Sequence, residues 1–147
     1  MRGMTLIVKQ ITNLMVPSIL LLGIYVVLHG HLTPGGGFAG GVLIAGCFTL
    51  MILAYGSERI KSEMKKMQAS LTESVGIFLF WFITIMGLLN GTYFFYNTIA
   101  KSNPGEPFTL FSAGIIPLCN IAIGIEVGAA LFSIFITLAI LKVGERL

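Results

Sequence analysis

One acid within a long apolar run has the clearest chemical potential in this sequence. Glu126 comes nine residues after Pro117, about 13 Å along a helix axis, which would place it near the centre of a membrane span. An ionised carboxylate at that depth costs at least about 2.5 kcal/mol, so it usually has a partner or a function. Glu126 therefore belongs either to a proton or cation pathway or to a structural pairing within an assembly.

Helical spacing places Glu126 on a face of small and weakly polar side chains. At 3.6 residues per turn, the other members of this face are Cys119, Ala122, Ala129, Ala130, Ser133 and Thr137. The opposite face carries bulky residues at positions 121, 125, 132, 135 and 136. Because small residues allow close helix contact, we expect Glu126 to face another helix rather than lipid. No other acid or base of the predicted spans can pair with it, so the rest of any pathway must come from other chains.

Four further polar residues are candidates for the same ion pathway. His29 and His31 lie at the end of an apolar run, and histidine titrates near physiological pH, so they could relay protons or form structural hydrogen bonds. Asn120 needs a hydrogen-bonding partner because an amide facing lipid is costly, and Ser133 shares the face of Glu126. A His-x-His pair lacks the third and fourth ligands of a zinc site, so we expect no metal.

The sequence contains no motif of an autonomous enzyme. It has no Walker motif, no nucleophile elbow and no Cys-x-x-Cys pair, and Cys47 and Cys119 stand alone in or beside apolar runs. We therefore expect no catalytic residue and no cofactor, and we interpret the cysteines as packing residues.

The composition indicates that membrane helices position these candidate residues. The 147 residues are 56% hydrophobic and 10% charged, whereas soluble domains carry about 25% charged residues. Four apolar runs, at about 11–28, 37–55, 75–95 and 117–141, approach the roughly 20 residues that a spanning helix needs. The predicted fold is therefore all-α, a polytopic membrane protein with four transmembrane helices in one domain, 1–147.

The distribution of positive charge predicts the orientation of these helices. Eight of the nine Lys and Arg residues fall at the two termini and in the second connector, and only Lys101 falls on the other side. By the positive-inside rule, both termini and the second connector are cytoplasmic and the protein resides in the cell membrane. The net charge of +3 follows from this distribution and does not indicate nucleic-acid binding.

Two connectors have a pattern of their own. In the second connector, 57–74, Glu and Lys pair at helical spacing, which predicts a short surface helix at the headgroup level. The loop before the last span begins as a turn at 103–107 and becomes apolar at 108–116. Such an apolar flank is expected to lie on the membrane interface or against a neighbour.

The first connector, between His29 and Gly41, contains six glycines and one proline. Glycine permits positive φ and close backbone approach, so we predict a sharp turn that leads into a closely packed second helix. Small residues also recur four apart along the chain, in the pairs Gly36/Gly40, Gly37/Gly41, Gly87/Gly91 and Gly124/Gly128. These crowded helix faces indicate a subunit of a larger membrane assembly.

The same connector resembles a family signature. Its segment 30–41, Gly-His-Leu-Thr-Pro-Gly-Gly-Gly-Phe-Ala-Gly-Gly, resembles that of the MrpB/MnhB family, one of the small subunits of Mrp-type (Mnh-type) multisubunit sodium/proton antiporters. The matching residues are Gly30, His31, Pro34, Gly35, Gly36, Gly37, Phe38, Gly40 and Gly41. Segment 111–124 is similar to the family's segment before its last helix, and the resemblance covers nearly the whole chain.

The resemblance implies a non-catalytic membrane subunit that takes part in translocating Na+ and H+. Its implied partners are large subunits related to the antiporter-like subunits of respiratory complex I and several small helical subunits. Related modules occur in archaeal membrane-bound hydrogenases and sulfur-reducing complexes, where electron transfer drives ion movement. In the family the position of Glu126 is often basic, in a Gly-Leu-Lys-Val context, so the resemblance assigns no role to this acid.

Two other interpretations remain open at this stage. The chain could be a self-sufficient small transporter that dimerises and binds cations at Glu126, although its many unsatisfied helix faces argue against this. Alternatively, it could anchor an electron-transfer enzyme without any transport role, in which case transport would not depend on Glu126 or His31.

Overall fold

The computed structural model describes residues 4–56, 62–89, 93–102 and 112–144. Its helices are α1 (Leu6–Leu28), α2 (Gly36–Tyr55), α3 (Ser62–Leu89), α4 (Thr98–Ser102) and α5 (Ile116–Gly144). Within the described residues, α1, α2, Met67–Leu89 of α3 and Ile116–Ala139 of α5 are long and apolar enough to cross a membrane. The prediction of an all-helical fold with four candidate spans is confirmed.

Helix α3 begins much earlier than the predicted span at residue 75. It starts at Ser62, so the helical part of the second connector continues into the span and is not a separate surface helix. Its first residues include Met, Lys, Gln, Ala and Leu, which all favour helix, so the polar segment gives no reason for the helix to stop. Residues 57–61 of the second connector, 90–92 of the predicted third span and 103–111 of the loop before the last span lie outside the described residues.

The apolar residues predicted to end the third span lie in a turn instead. Phe95 has a φ of 64°, and its N–H donates to the carbonyl oxygen of Thr84 at 3.3 Å. Its ring contacts that of Phe80, with 5.6 Å between the centroids. This segment therefore folds back along α3, and hydrophobicity alone cannot distinguish such an apolar turn from a continuing helix.

The helical spans contain two charged residues that the predicted spans excluded. Lys9 lies near the start of α1, and Glu73 lies in the first third of the α3 span, Met67–Leu89. Glu126 is therefore not the only charged residue of the candidate spans. Glu126 is still the most central of the three, ten residues after Ile116 in a span that ends at Ala139.

Helices α2 and α5 pack against each other at the centre of the bundle, with α1 on α2 and α3 on α5. The central contact is made by backbone. A Cβ added to Gly41 would lie 2.9 Å from the carbonyl oxygen of Gly124 and 3.2 Å from the amide nitrogen of Gly128. The predicted Gly37/Gly41 and Gly124/Gly128 faces thus meet each other directly.

Val27 of α1 fills the junction between these two helices. It is only 7% exposed, and one of its methyl groups lies against the bare backbone of Gly40 on α2. A Cβ added to Gly124 of α5 would lie 3.0 and 3.2 Å from the two Val27 methyls. One valine therefore packs into space that glycines leave on two helices.

Gly41→Ala should lower the thermal unfolding midpoint of the purified full-length chain in detergent, because the methyl group must separate two helix backbones. Overpacking of this kind costs about 1–3 kcal/mol. Gly46→Ala is the matched control on the same helix, since a Cβ there meets nothing within 4 Å. We expect it to leave the midpoint unchanged or raise it slightly through helix propensity. Thermal unfolding is monitored by circular dichroism. If the two variants have the same unfolding midpoint, the backbone contact between α2 and α5 is contradicted.

Candidate functional site

Glu126 lies on α5 at the point where α3 crosses it. A Cβ added to Gly76 of α3 would lie 2.8 Å from the Glu126 amide nitrogen and 2.9 Å from its Cα. The Glu126 side chain is half-buried. Among the described residues, none forms an ion pair or side-chain hydrogen bond with it. The carboxyl group therefore sits beside a helix crossing without a counter-charge from the described part of the chain.

Small side chains surround this crossing on both helices. On α5, Cys119, Ala122 and Ala129 are buried and Ser133 is half-buried. On α3, Ala69, Gly76 and Thr84 form the buried face. Small residues therefore line the buried sides of both helices for about two turns on either side of the crossing.

Besides Glu126 on α5, a second carboxylate, that of Glu73, lies on the buried face of α3. Glu73 was not predicted as a candidate from the sequence. It is half-buried and precedes Gly76 by three residues, so the two share one side of the helix. The predicted connector 57–74 includes Glu73, so the sequence did not place this residue on the spanning helix. The available signal was the helical spacing of Ala69, Glu73, Gly76 and Thr84.

The first connector forms the predicted turn between α1 and α2. Gly35 and Gly36 have φ angles of 132° and 64°, values that side chains with a Cβ strongly disfavour. Gly30 packs directly against the Cα of Gly36. The clustered glycines are therefore required by backbone conformation and by the closeness of the two ends of the turn.

His29 completes the end of α1. Its ring stacks on that of Tyr25 with 4.3 Å between the centroids, and its Nδ1 lies 3.2 Å from the Tyr25 carbonyl oxygen. Since a carbonyl can only accept, Nδ1 is the donor and Nε2 remains as an acceptor in the neutral ring. The His29 carbonyl in turn accepts from the N–H groups of Leu32 and Thr33, both at 2.9 Å. These contacts are those of a helix cap.

Asn120 of α5 lies in a cradle formed by glycines of the first connector. A Cβ added to Gly30 would lie 2.7 Å from its Nδ2, and one added to Gly36 would lie 3.4 Å from its Oδ1. Gly37 packs against the Asn120 carbonyl. The Nδ2 atom is buried and has no hydrogen-bond acceptor among the described residues. Two segments distant in the sequence, the glycine signature and the start of α5, thus meet at this amide.

The candidate residues fall at separate depths rather than in one site. Asn120 precedes Glu126 by six residues, about 9 Å along α5, and Ser133 follows it by seven residues, about 10 Å. His31 belongs to the turn near Asn120 and is half-buried, with its Nδ1 shielded from solvent. No group of three or more His, Cys, Asp or Glu that could hold a metal occurs in the part of the chain that the structure describes.

Asn97 is a further organising residue that was not predicted from the sequence. Its Oδ1 accepts from the N–H groups of Ala100 at 3.1 Å and Ile115 at 3.2 Å, and its Nδ2 donates to the Ala113 carbonyl at 2.9 Å. Asn97 therefore caps α4 and ties it to the turn before α5. An asparagine directly before a helix is the available signal, but the helix itself has only five residues.

These observations define a polytopic helical membrane protein whose helices meet through glycine backbone. Residues 7–133 match the family model described as a domain related to the MnhB subunit of Na+/H+ antiporter. The chain therefore belongs to the MnhB family of antiporter subunits, which confirms the resemblance drawn from the glycine signature.

Two relatives illustrate the range of this family. An uncharacterised protein of Methanocaldococcus jannaschii is 37% identical over 134 residues, which cover 86% of this chain and 49% of the relative. A predicted antiporter subunit mnhB2 of Staphylococcus saprophyticus is 29% identical over 123 residues, covering 79% of this chain and 86% of the relative. The chain thus spans about half the length of the first relative and most of the second.

A solved structure shares the fold. A chain of the membrane-bound sulfane sulfur reductase, an archaeal respiratory membrane complex, matches with a TM-score of 0.63 and 34% identity. The match covers 88% of this chain and 56% of the reductase chain. The fold of this chain therefore also occurs in a chain of an archaeal respiratory membrane complex.

Asn97→Ala should loosen the region around α4, since it removes three hydrogen bonds and leaves their backbone partners unsatisfied. The loss corresponds to about 1–3 kcal/mol, so hydrogen–deuterium exchange at residues 98–101 and 113–116 should accelerate. Asn13→Ala is the control because it removes a single exposed bond, the one from the Tyr55 hydroxyl at 2.6 Å. It should leave exchange in this region unchanged. If these residues exchange in the Asn97→Ala variant at the wild-type rate, the organising role of Asn97 is contradicted.

Proposed function

We propose that this chain is a non-catalytic membrane subunit that takes part in sodium and proton translocation within a Mrp-type antiporter module. The observation that carries the proposal is the Glu126 carboxyl group, which lies at the centre of a span without a counter-charge among the described residues. An acid in that position can exchange a proton or bind a cation that an adjoining chain delivers. Ser133 lies on the same side of α5 and would extend this polar face.

Asn120 and His31 lie at a different level of the bundle from Glu126 and would contribute to the pathway there. The Asn120 amide has a buried donor without an acceptor among the described residues of the glycine cradle, which supports contact with an internal water molecule. His29 has the geometry of a helix cap, which favours the structural interpretation of this residue over proton transfer.

A second setting for the same module is a redox-driven complex. The likeness to a chain of the sulfane sulfur reductase, at 34% identity and a TM-score of 0.63, favours this alternative. The two settings differ in what drives ion movement, either the gradient of a second ion or electron transfer in attached subunits. The part that we assign to this chain is the same in both.

We also propose that the chain forms one domain in the cell membrane with both termini in the cytoplasm. Eight of nine Lys and Arg residues support this orientation. The first connector and the segment before α5 would then face outward.

Glu126→Gln should reduce sodium-dependent proton movement by about tenfold or more, since it removes the titratable group while keeping its volume. The assay is the sodium-induced pH change in everted vesicles that contain the complete complex, with subunit composition checked by copurification. Glu63→Gln is the matched control because this acid precedes the candidate span on α3. Full activity of Glu126→Gln in an intact complex would overturn the ion-pathway role. Loss of a subunit would instead assign Glu126 to assembly.

Ser57→Cys and Asn103→Cys should react from opposite sides of the membrane. With a membrane-impermeant maleimide on intact cells, we expect labelling at position 103 and none at position 57. The reason is that the loop containing residue 103 faces outward, whereas the second connector, which contains residue 57, faces the cytoplasm. The native Cys47 and Cys119 are buried, so the unmodified chain provides the background. The reverse labelling pattern would contradict the proposed orientation.

A further inference from the structure

Asn13 is a polar residue on the outside of a candidate membrane-spanning helix. It lies on α1 within the candidate span Leu6–Leu28, and its side chain is exposed. The exposed neighbours on this surface include Leu14 and Leu21, so the surroundings of the amide are otherwise apolar. Helix α1 packs mainly on α2. Asn13 therefore presents its amide at a surface of α1 that the described helices do not cover.

The level of Asn13 in the membrane follows from the way α1 and α2 pair. The Met4 N–H donates to the Ala54 carbonyl oxygen at 3.0 Å, so the beginning of α1 lies beside the end of α2. Asn13 follows Leu6 by seven residues, about 10 Å along the helix. The 23 residues of the candidate span cover about 33 Å, close to the roughly 30 Å of a hydrocarbon core. The Asn13 amide therefore lies inside the hydrocarbon, away from the headgroups.

Asn13 has hydrogen-bonding groups that the described part of the chain does not satisfy. Its Oδ1 accepts from the Tyr55 hydroxyl at 2.6 Å, but its Nδ2 has no acceptor among the described residues. Its backbone carbonyl oxygen lacks the usual helical donor, because the residue four positions later is Pro17, which has no N–H. Pro17 is exposed as well. Asn13 therefore offers both a donor and an acceptor at one point of the surface.

Lipid cannot complete these hydrogen bonds. An acyl chain has neither donor nor acceptor, and a polar group without a partner in hydrocarbon is costly. A neighbouring helix can supply both, since the side chains of Asn, Gln, Ser and Thr each carry a donor and an acceptor. Polar contacts of this kind are used between membrane helices.

We propose that the side of α1 formed by Gln10, Asn13 and Pro17 docks a transmembrane helix of another subunit. That helix places an Asn, Gln, Ser or Thr side chain opposite Asn13. Membership of a family of antiporter subunits makes other chains the expected neighbours. The surface is on a different helix from Glu126, so the proposal does not depend on the ion-pathway role of that acid.

Photo-crosslinking in the purified complete complex tests the docking surface. p-Benzoylphenylalanine replaces Gln10, which shares the side of Asn13 and leaves the Asn13 hydrogen bonds intact. We expect an adduct with another subunit, mapped by mass spectrometry to a transmembrane helix that carries Asn, Gln, Ser or Thr. The matched control has the same label at Ile11, which is 55% exposed but lies on nearly the opposite side of α1 from Asn13. It should give no adduct with that helix.

Asn13→Leu tests the hydrogen bonds themselves. We expect about tenfold less of the neighbouring subunit to copurify with this variant, because leucine has similar volume but no polar group. Tyr55→Phe is the matched control, since it removes the same bond within the chain and keeps the Asn13 amide. It should retain the neighbouring subunit at the wild-type level.

Four results would overturn the proposal. An adduct from position 10 with lipid or detergent alone would show that no protein helix covers this surface. An adduct with a second copy of this chain would make the surface a self-association site. An adduct with a helix that has no Asn, Gln, Ser or Thr would contradict the hydrogen-bonding chemistry. Equal copurification of the neighbouring subunit with Asn13→Leu and wild type would show that the amide does not hold the partner.

Discussion

The direct backbone contact between α2 and α5 is the constraint on which the rest of this structure depends. Because Gly41 meets Gly124 and Gly128 without intervening side chains, Val27 of α1 can seal the junction. The same close approach carries the first connector against the start of α5, where its glycines surround the Asn120 amide. The cradle and the three-helix junction are therefore consequences of one packing, since an added methyl group at the contact would separate the helices that form them.

Helix α3 is joined to this group mainly through α5, and that attachment explains two features. Gly76 lets α3 approach the Glu126 backbone, so a central carboxyl group lies at a helix crossing rather than on an open lipid-facing surface. The separation of α3 from α1 leaves an apolar groove between them. A bundle with a tight centre and an open side leaves helix surface uncovered, which agrees with membership of a family of antiporter subunits.

The sequence predicted features that depend on composition and local chemistry. Four apolar runs predicted four candidate spans, and the glycine segment predicted both a sharp turn and the family. The predictions were wrong where the same sequence property is compatible with two different structures. Hydropathy marks the membrane but not the end of a helix, so α3 begins thirteen residues before the predicted span. Phe95 is as apolar as a span residue, yet it lies in a turn with positive φ.

By itself, the sequence determined the class of the fold, the number of candidate spans and the family, because apolar run length and glycine conformational freedom are local properties. It also singled out Glu126 as a candidate, since a charge in an apolar run is visible without coordinates. Only the tertiary structure decided which helix lies beside that acid, which glycines surround Asn120 and which face of α3 is buried. These outcomes depend on which helix faces meet. That choice is made by contacts between residues tens of positions apart, which no local pattern specifies.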